Sequence, residues 1–219
     1  MATQKSVGIL LVGISNVGKT SLVNMFCKKE VTTDYVSTSG ESKTTTEMVL
    51  GKKTYSVAFY DCNGDDLINN RGTVSSYFKK AKIHLLVGST QNPDSVEYFE
   101  GLLKNISADP DATPIYRIVI LTHSDLPDDD DVEEQCKKML TDDINFYKCN
   151  CFRDGESMSN HLTDFLKRVI VEHPELVEGC AIDSKLSKSE KYDKKIDAKE
   201  DKKQQKKNKT SESGCCYIL

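Results

Sequence analysis

Eight consecutive residues, Gly13-Ile14-Ser15-Asn16-Val17-Gly18-Lys19-Thr20, constrain this chain more than anything else in it. They fit G-x-x-x-x-G-K-[ST], a loop whose backbone N–H groups wrap phosphate oxygens. Such a loop belongs between a buried strand and a helix, because the helix N-terminus adds positive potential. Both flanks are present. Val7–Val12 is apolar apart from Gly8, and Lys19–Phe26 reads as a helix. In this pattern the lysine, Lys19, reaches the outer phosphates and the Thr20 hydroxyl takes Mg²⁺. The first strand of an α/β fold must therefore end in a phosphate site.

The rest of the chain alternates apolar runs with amphipathic stretches, the pattern of a mostly parallel sheet. Residues 47–50 and 55–60 flank Gly51-Lys52-Lys53 and predict an antiparallel hairpin. Further strands are expected at 83–88, 118–121 and 145–148, with helices near 74–81, 94–105, 132–140 and 158–171. The Asp128–Asp131 run suits a solvated helix N-terminus, where carboxylates meet the dipole.

Periodicity stops after Pro174, and the composition turns to Lys, Asp, Glu, Ser and Gln. The expectation is a single domain over 1–175 and a tail over 176–219, disordered up to 214. Between 181 and 214 there are eleven lysines against seven acids, a surplus of +4. The whole chain carries −4, so the remainder carries −8. An acidic body with a basic tail points to an anionic surface met by the tail, and away from nucleic acid as the main partner. No apolar run approaches the ~18 residues of a membrane-spanning helix. The N-terminus has no signal-peptide pattern, and Ala2 follows Met1 where myristoylation needs a glycine. The eight cysteines fit a reducing compartment, and Cys149-x-Cys151 has neither redox spacing nor a nearby histidine to complete a metal site.

Three further segments narrow the phosphate site. Tyr35-Val36-Ser37-Thr38-Ser39-Gly40 resembles the first switch segment of Rab-type small GTPases, with Thr38 eighteen residues after Thr20. Asp61-Cys62-Asn63-Gly64 is similar to the D-x-x-G of that family. Ser75-Ser76-Tyr77-Phe78-Lys79-Lys80-Ala81 looks like its S-S-Y-Y-R-G-A stretch. On these segments residues 6–172 resemble a divergent Rab-like member of the Ras superfamily. The resemblance implies a P-loop G domain: a six-stranded, mostly parallel sheet with one antiparallel strand and about five helices. It implies GTP or GDP at Gly13, Ser15, Asn16, Val17, Gly18, Lys19, Thr20 and Ser21, with Gly64 and Thr38 meeting the γ-phosphate. Mg²⁺ would sit on Thr20, Thr38 and Asp61.

The base-reading segment departs further. At 118–125 the chain reads Ile-Val-Ile-Leu-Thr-His-Ser-Asp where the family has a strand ending in N-K-x-D. Asp125 matches the aspartate that pairs with guanine N1–H and N2–H₂, although a turn-capping role also suits it. Thr122 replaces an asparagine that ties this loop to the P-loop, and His123 a lysine whose stem covers the base. Both changes predict reduced affinity. The last family motif, S-A-K, would fall near Asn150-Cys151-Phe152, where the match supports no residue assignment.

Other departures bear on turnover and partners. Asp65 stands where the family has its catalytic glutamine, and with Lys19 it is the candidate for hydrolysis. The stretch after Thr38 reads Ser39-Gly40-Glu41-Ser42-Lys43 instead of an apolar run. Of three effector-facing aromatics one is lost at Lys43, while Tyr60 and Tyr77 serve partner contact or core packing. At the C-terminus, Cys216-Tyr217-Ile218-Leu219 satisfies C-a-a-X, and Cys215-Cys216 resembles the endings of doubly prenylated Rabs. Two lipids matter, since one chain anchors only marginally. The resemblance thus implies a GTP/GDP switch in vesicle trafficking, held on the cytoplasmic face of membranes with a cytosolic pool. Its partners would be effectors, an exchange factor, an activating protein and a prenyl-binding chaperone. Two rival readings remain: a nucleotide-binding scaffold without efficient hydrolysis, and an ATP-dependent P-loop enzyme.

Overall fold

The computed structural model describes residues 5–34, 36–64, 78–106, 116–127, 130–139 and 145–182. In chain order the elements are β1 (Val7–Val12), α1 (Lys19–Phe26), β2 (Glu41–Leu50), β3 (Lys53–Cys62), β4 (Ile83–Ser89) and α2 (Asp94–Ile106). There follow β5 (Tyr116–Thr122), α3 (Asp130–Met139), β6 (Asn145–Lys148), α4 (Gly155–Glu172), a 3₁₀ turn (Pro174–Val177) and β7 (Ala181–Ile182). The sheet order is β2-β3-β1-β4-β5-β6. Only β2 and β3 pair antiparallel; the other pairings along this path are parallel. This is the expected six-stranded sheet. The short β7 adds a seventh strand, against β3.

Strand alternation divides the apolar residues between two faces. On one, Ile9, Leu11, Phe59, Leu85 and Ile120 pack with Leu22 and Phe26 of α1 and Phe165 and Val169 of α4. The Phe26 and Phe59 rings stack there at 5.5 Å. On the other, Leu10, Val12, Leu86 and Val119 pack with Phe99 of α2 and Val132 and Cys136 of α3. Covered on both sides, β1 and β4 read as continuous apolar runs, as central parallel strands must. The carboxyl ends of β1, β3, β4 and β5 line one edge of the sheet, where open α/β sheets place their ligands.

Two expectations need correction. Strand β2 starts at Glu41, well before 47, and pairs with β3 along its full length, from Glu41↔Cys62 to Leu50↔Lys53. Its first half is polar, but Thr44, Thr45 and Thr46 are β-branched and pair with apolar β3. Packed structure also continues past the boundary drawn at 175. Val177 and Cys180 are buried in the core, and the Ser56 N–H donates to the Cys180 carbonyl at 2.9 Å. The turn to lysine-rich composition begins only after these anchors. The helix expected over 74–81 lies largely outside the described residues, which hold four α-helices. None of these is long and apolar enough to cross a membrane.

Candidate nucleotide site

The loop after β1 is shaped by close approach. A Cβ on Gly13 would lie 2.1 Å from the Val87 carbonyl oxygen, and one on Gly64 would lie 2.3 Å from the Ser15 nitrogen. Only glycine fits at either point. Gly64 therefore brings the end of β3 against the backbone of the P-loop. Asn16 and Gly18 adopt left-handed backbone (φ 61° and 82°), turning the chain into α1. Val17 is buried in the core, so its side chain supports the loop from beneath.

Lys19 is 7% exposed, and its Nζ donates to the carbonyls of Gly13 (3.0 Å) and Ile14 (2.7 Å). Burying an ammonium is costly unless its protons are matched, and the loop carbonyls match two of them. Beside it the Thr20 hydroxyl donates to Asp61 Oδ2 at 2.6 Å, and Thr38 Oγ1 lies 3.2 Å from Thr20 Oγ1. Three candidate metal ligands, from α1, β3 and the segment before β2, thus converge. Asp61 is 3% exposed, and its Oδ1 has no hydrogen-bond partner. Burial pushes the Asp61 carboxyl up, against the Thr20 hydrogen bond, the Lys19 charge and the Thr38 hydrogen bond. An orphaned carboxylate oxygen beside two hydroxyls is a hard-oxygen donor set. It suits Mg²⁺, which takes one or two carboxylates and completes its shell with water and phosphate oxygens.

The end expected to hold the base starts at the close of β5. Thr122 is 1% exposed, with Oγ1 2.8 Å from the Val17 carbonyl and 3.1 Å from the Gly88 carbonyl. Its single proton serves one of them at a time. Its methyl fits under Gly18, where an added Cβ would stand 3.3 Å from Thr122 Cγ2. The tie to the P-loop that the asparagine's absence put in doubt is therefore made by a hydroxyl. His123 takes left-handed backbone (φ 59°); its Nδ1 is 2.8 Å from Ser89 Oγ, and its carbonyl accepts from Thr90 Oγ1 at 2.9 Å. Asp125 is exposed, two residues further on.

One cleft of about 360 Å³ joins both ends. Ser15, Asn16, Gly18, Lys19, Thr20, Ser21, Thr38, Gly64, His123 and Asp125 line it, so most of the predicted site residues meet there. Its volume is in the range of small-molecule pockets. Asn150, Cys151 and Phe152 line it as well, on the loop between β6 and α4 that sequence reasoning left unassigned. The usable signal was positional: that loop follows the strand beside β5, at the same sheet edge. Tyr35, Asp65, Tyr77, Cys215 and Cys216 lie outside the described residues. Tyr60 is half-buried against the second core cluster, and Lys43 Nζ sits 5.6 Å from its ring centroid. Lys80 ion-pairs with Glu41 nearby. The face that begins β2 is therefore charged.

Among known proteins, the chain resembles the GTP-binding protein yptV5 of Volvox carteri, 28% identical over 121 residues, covering 52% of this chain and 58% of the relative. It also resembles the Ypt/Rab-type GTPase ypt7 of Schizosaccharomyces pombe, 26% identical over 135 residues, covering 61% and 62%. The Ras-related protein Rab7 of Drosophila melanogaster is 26% identical over 111 residues, covering 48% and 53%. The chain spans less than two thirds of the length of these curated relatives. The Ras family model matches residues 8–170, most of the chain and all six strands of the sheet path. This protein belongs to the Ras family.

Proposed function

We propose that the chain is a Rab-like switch that binds GTP and GDP with Mg²⁺ and acts in vesicle trafficking on the cytoplasmic face of a membrane. The observation that carries this reading is the meeting of Thr20, Thr38 and Asp61 beneath the P-loop, in one cleft with Asp125. Lys19 neutralises the outer phosphates, and the backbone amides from Ser15 to Thr20 wrap them. Thr20, Thr38 and Asp61 would hold Mg²⁺, which would offset charge on the phosphate oxygens. Gly64, packed against the P-loop backbone in the same cleft, would contact the γ-phosphate through its N–H. Asp125 accepts from guanine N1–H and N2–H₂, a pairing that adenine cannot offer. With the γ-phosphate and Mg²⁺ bound, Thr38 would tie the segment before β2 to them as well as to Thr20, and loss of the γ-phosphate would weaken that tie. The names of the relatives, a GTP-binding protein and Ypt/Rab-type GTPases, support the same reading.

Titration with GTP, GDP and ATP in the presence and absence of Mg²⁺ tests it. Tight, Mg²⁺-dependent binding of both guanine nucleotides and weak binding of ATP is expected; equal affinity for ATP and GTP contradicts it. Membrane tethering rests on Cys215 and Cys216, prenylated at Cys216 and lipidated again at Cys215, with the lysine tail adding attraction to anionic lipid. A Cys215→Ser, Cys216→Ser variant should be wholly cytosolic on fractionation, and recovery of that variant in the membrane pellet contradicts this anchor. Effectors, an exchange factor, an activating protein and a prenyl-binding chaperone complete the cycle.

Asp65 favours slow turnover. A carboxylate cannot donate toward the γ-phosphate, and it brings negative charge to a polyanion. The same residue supports a second reading, a nucleotide-loaded scaffold that recruits partners without efficient hydrolysis. Single-turnover hydrolysis separates the two.

A further inference from the structure

The chain leaving β3 carries a carboxamide into the cleft on a fixed backbone. Asn63 is half-buried and lines the cleft together with Thr20, Thr38 and Gly64. Its N–H donates to the Gly40 carbonyl at 2.9 Å, so the β2–β3 pairing runs one residue beyond Glu41↔Cys62. Strand alternation then puts Asp61 and Asn63 on one side and Cys62 on the other, where Cys62 is buried in the second core cluster. Two residues before Asn63, Asp61 accepts from the Thr20 hydroxyl at 2.6 Å. One residue after it, Gly64 is pressed against the backbone of Ser15 in the P-loop. Asn63 is thus held against the phosphate loop from both directions along the chain.

Hydrolysis at a γ-phosphate asks for little covalent help: a water must be positioned and charge must be offset. The positioning group does most if it accepts from the water and donates to a phosphate oxygen at once. A neutral carboxamide does both, whereas an ionised carboxylate only accepts. Asp61 is already engaged with Thr20, and Asp65 brings a second carboxylate. Asn16, Asn24 and Asn150 also line the cleft. Asn150 lies after β6 with its Oδ1 accepting from the Phe152 N–H, Asn24 lies further along α1, and Asn16 is exposed on the P-loop turn. Asn63 is the carboxamide between Asp61 and Gly64.

We propose that Asn63 is a catalytic residue of this chain: its Oδ1 accepts from the attacking water and its Nδ2 donates to a γ-phosphate oxygen. The water oxygen bonds to the γ-phosphorus, the bond from that phosphorus to the β–γ bridging oxygen breaks, and its electron pair stays on GDP. One water proton remains on the released phosphate and the other passes to solvent. This rests on the guanine-nucleotide reading above and assigns to Asn63 the water-orienting role for which Asp65 lacks a donor.

The full-length wild type, Asn63→Ala and Asn63→Asp would be loaded with GTP in Mg²⁺ and single-turnover phosphate release followed. Equilibrium titration with GDP and with guanylyl imidodiphosphate, a GTP analogue that is not hydrolysed, gives a readout independent of turnover. Asn63→Ala should slow hydrolysis about tenfold, the worth of a hydrogen bond made in the transition state. It should weaken the analogue about threefold or more and leave GDP unchanged, because GDP lacks the phosphate that Nδ2 meets. Asn63→Asp keeps the side-chain shape and loses the donor, so it should slow hydrolysis at least as much. Wild-type turnover in either variant, or equal loss of GDP and analogue affinity, shows a packing role and overturns the proposal. Wild type that binds GTP without turnover also overturns it, while the nucleotide reading stands. Wild type that binds neither guanine nucleotide overturns that reading and the role of Asn63 with it.

Discussion

On the proposed reading, the phosphate end and the base end of the cleft are built to different tolerances. At the proposed phosphate end each residue type would answer to charge: an ammonium for phosphate oxygens, two hydroxyls and an orphaned carboxylate oxygen for a hard cation. Glycine is demanded where the backbones of Gly13 and Gly64 meet a neighbour at contact distance. At the base end a tether and a cover are needed, and several side chains can supply each. Thr122 ties the loop through a hydroxyl and a methyl, and the Ser89 and Thr90 hydroxyls brace His123. Sequence can drift at the base end without loss of architecture, while the phosphate end is held to its chemistry.

The sharpest way to break this contrast is Lys19→Ala. Losing a charge-assisted contact to two phosphates should weaken GTP and GDP by about 1,000-fold, irrespective of the base, because hydrogen bonds to charged groups are worth about 1.5–3 kcal/mol each. Binding that survives within tenfold would mean the base end dominates affinity.

The scaffold beneath both ends should fail in acid. His84 on β4 is fully buried against Phe78, its Nε2 is 3.1 Å from the Ala81 carbonyl, and its Nδ1 has no partner. Burial, with lesser repulsion from Arg117 and Lys82, lowers its pKa to about 4, against backbone hydrogen bonds to Ala81 and Phe78 that raise it. Between pH 6.5 and about 4 the unfolded chain therefore binds a proton that the folded chain refuses. The stability contributed by neutral His84 is complete above pH 6.5 and is lost as pH falls toward 4. The loss reaches about 3 kcal/mol. Urea unfolding across this range should show that slope, and His84→Leu should flatten it.

Thr122→Val keeps the shape and removes the hydroxyl tie. Leaving buried carbonyls short of a donor should cost about 1–2 kcal/mol of stability, and GDP release should quicken several-fold with the phosphate contacts unaltered. Release at the wild-type rate would show that packing alone holds the loop. The smallest effect is on turnover. Replacing Asp65 with glutamine removes a repulsion of about 1 kcal/mol after screening, so single-turnover hydrolysis should rise several-fold. No increase would show that Asp65 does not limit the step.

How much of this was legible in the sequence follows the same divide. Gly13 to Thr20 were legible from their own pattern, and Thr38 and Asp61 through the resemblance to a family whose segments they match; the structure brings Thr20, Thr38 and Asp61 together. Strands β1, β4 and β5 were legible because burial on both faces leaves continuous apolar runs. The first half of β2 was missed because its threonines look polar while their β-branching, and the partner strand, do the pairing. The packed segment from Leu176 to Cys180 was missed because a few anchoring residues sit next to a lysine-rich stretch. Asn150, Cys151 and Phe152, where the last family motif would fall, received no assignment because their match to it is poor; they line the cleft because β6 delivers their loop to the same sheet edge.

The central claim, one guanine-nucleotide site spanning both ends, is tested most directly by Asp125→Asn. A carboxamide cannot accept from both guanine N1–H and N2–H₂, but it can donate to the oxygen that xanthine carries at C2. Equilibrium titration of wild type and variant with GDP and XDP in Mg²⁺ is the measurement. The variant should lose GDP affinity by at least 100-fold and prefer XDP, with Lys19 and Mg²⁺ still required. Unchanged GDP affinity in the variant would contradict the account, because the base would then be read somewhere other than Asp125.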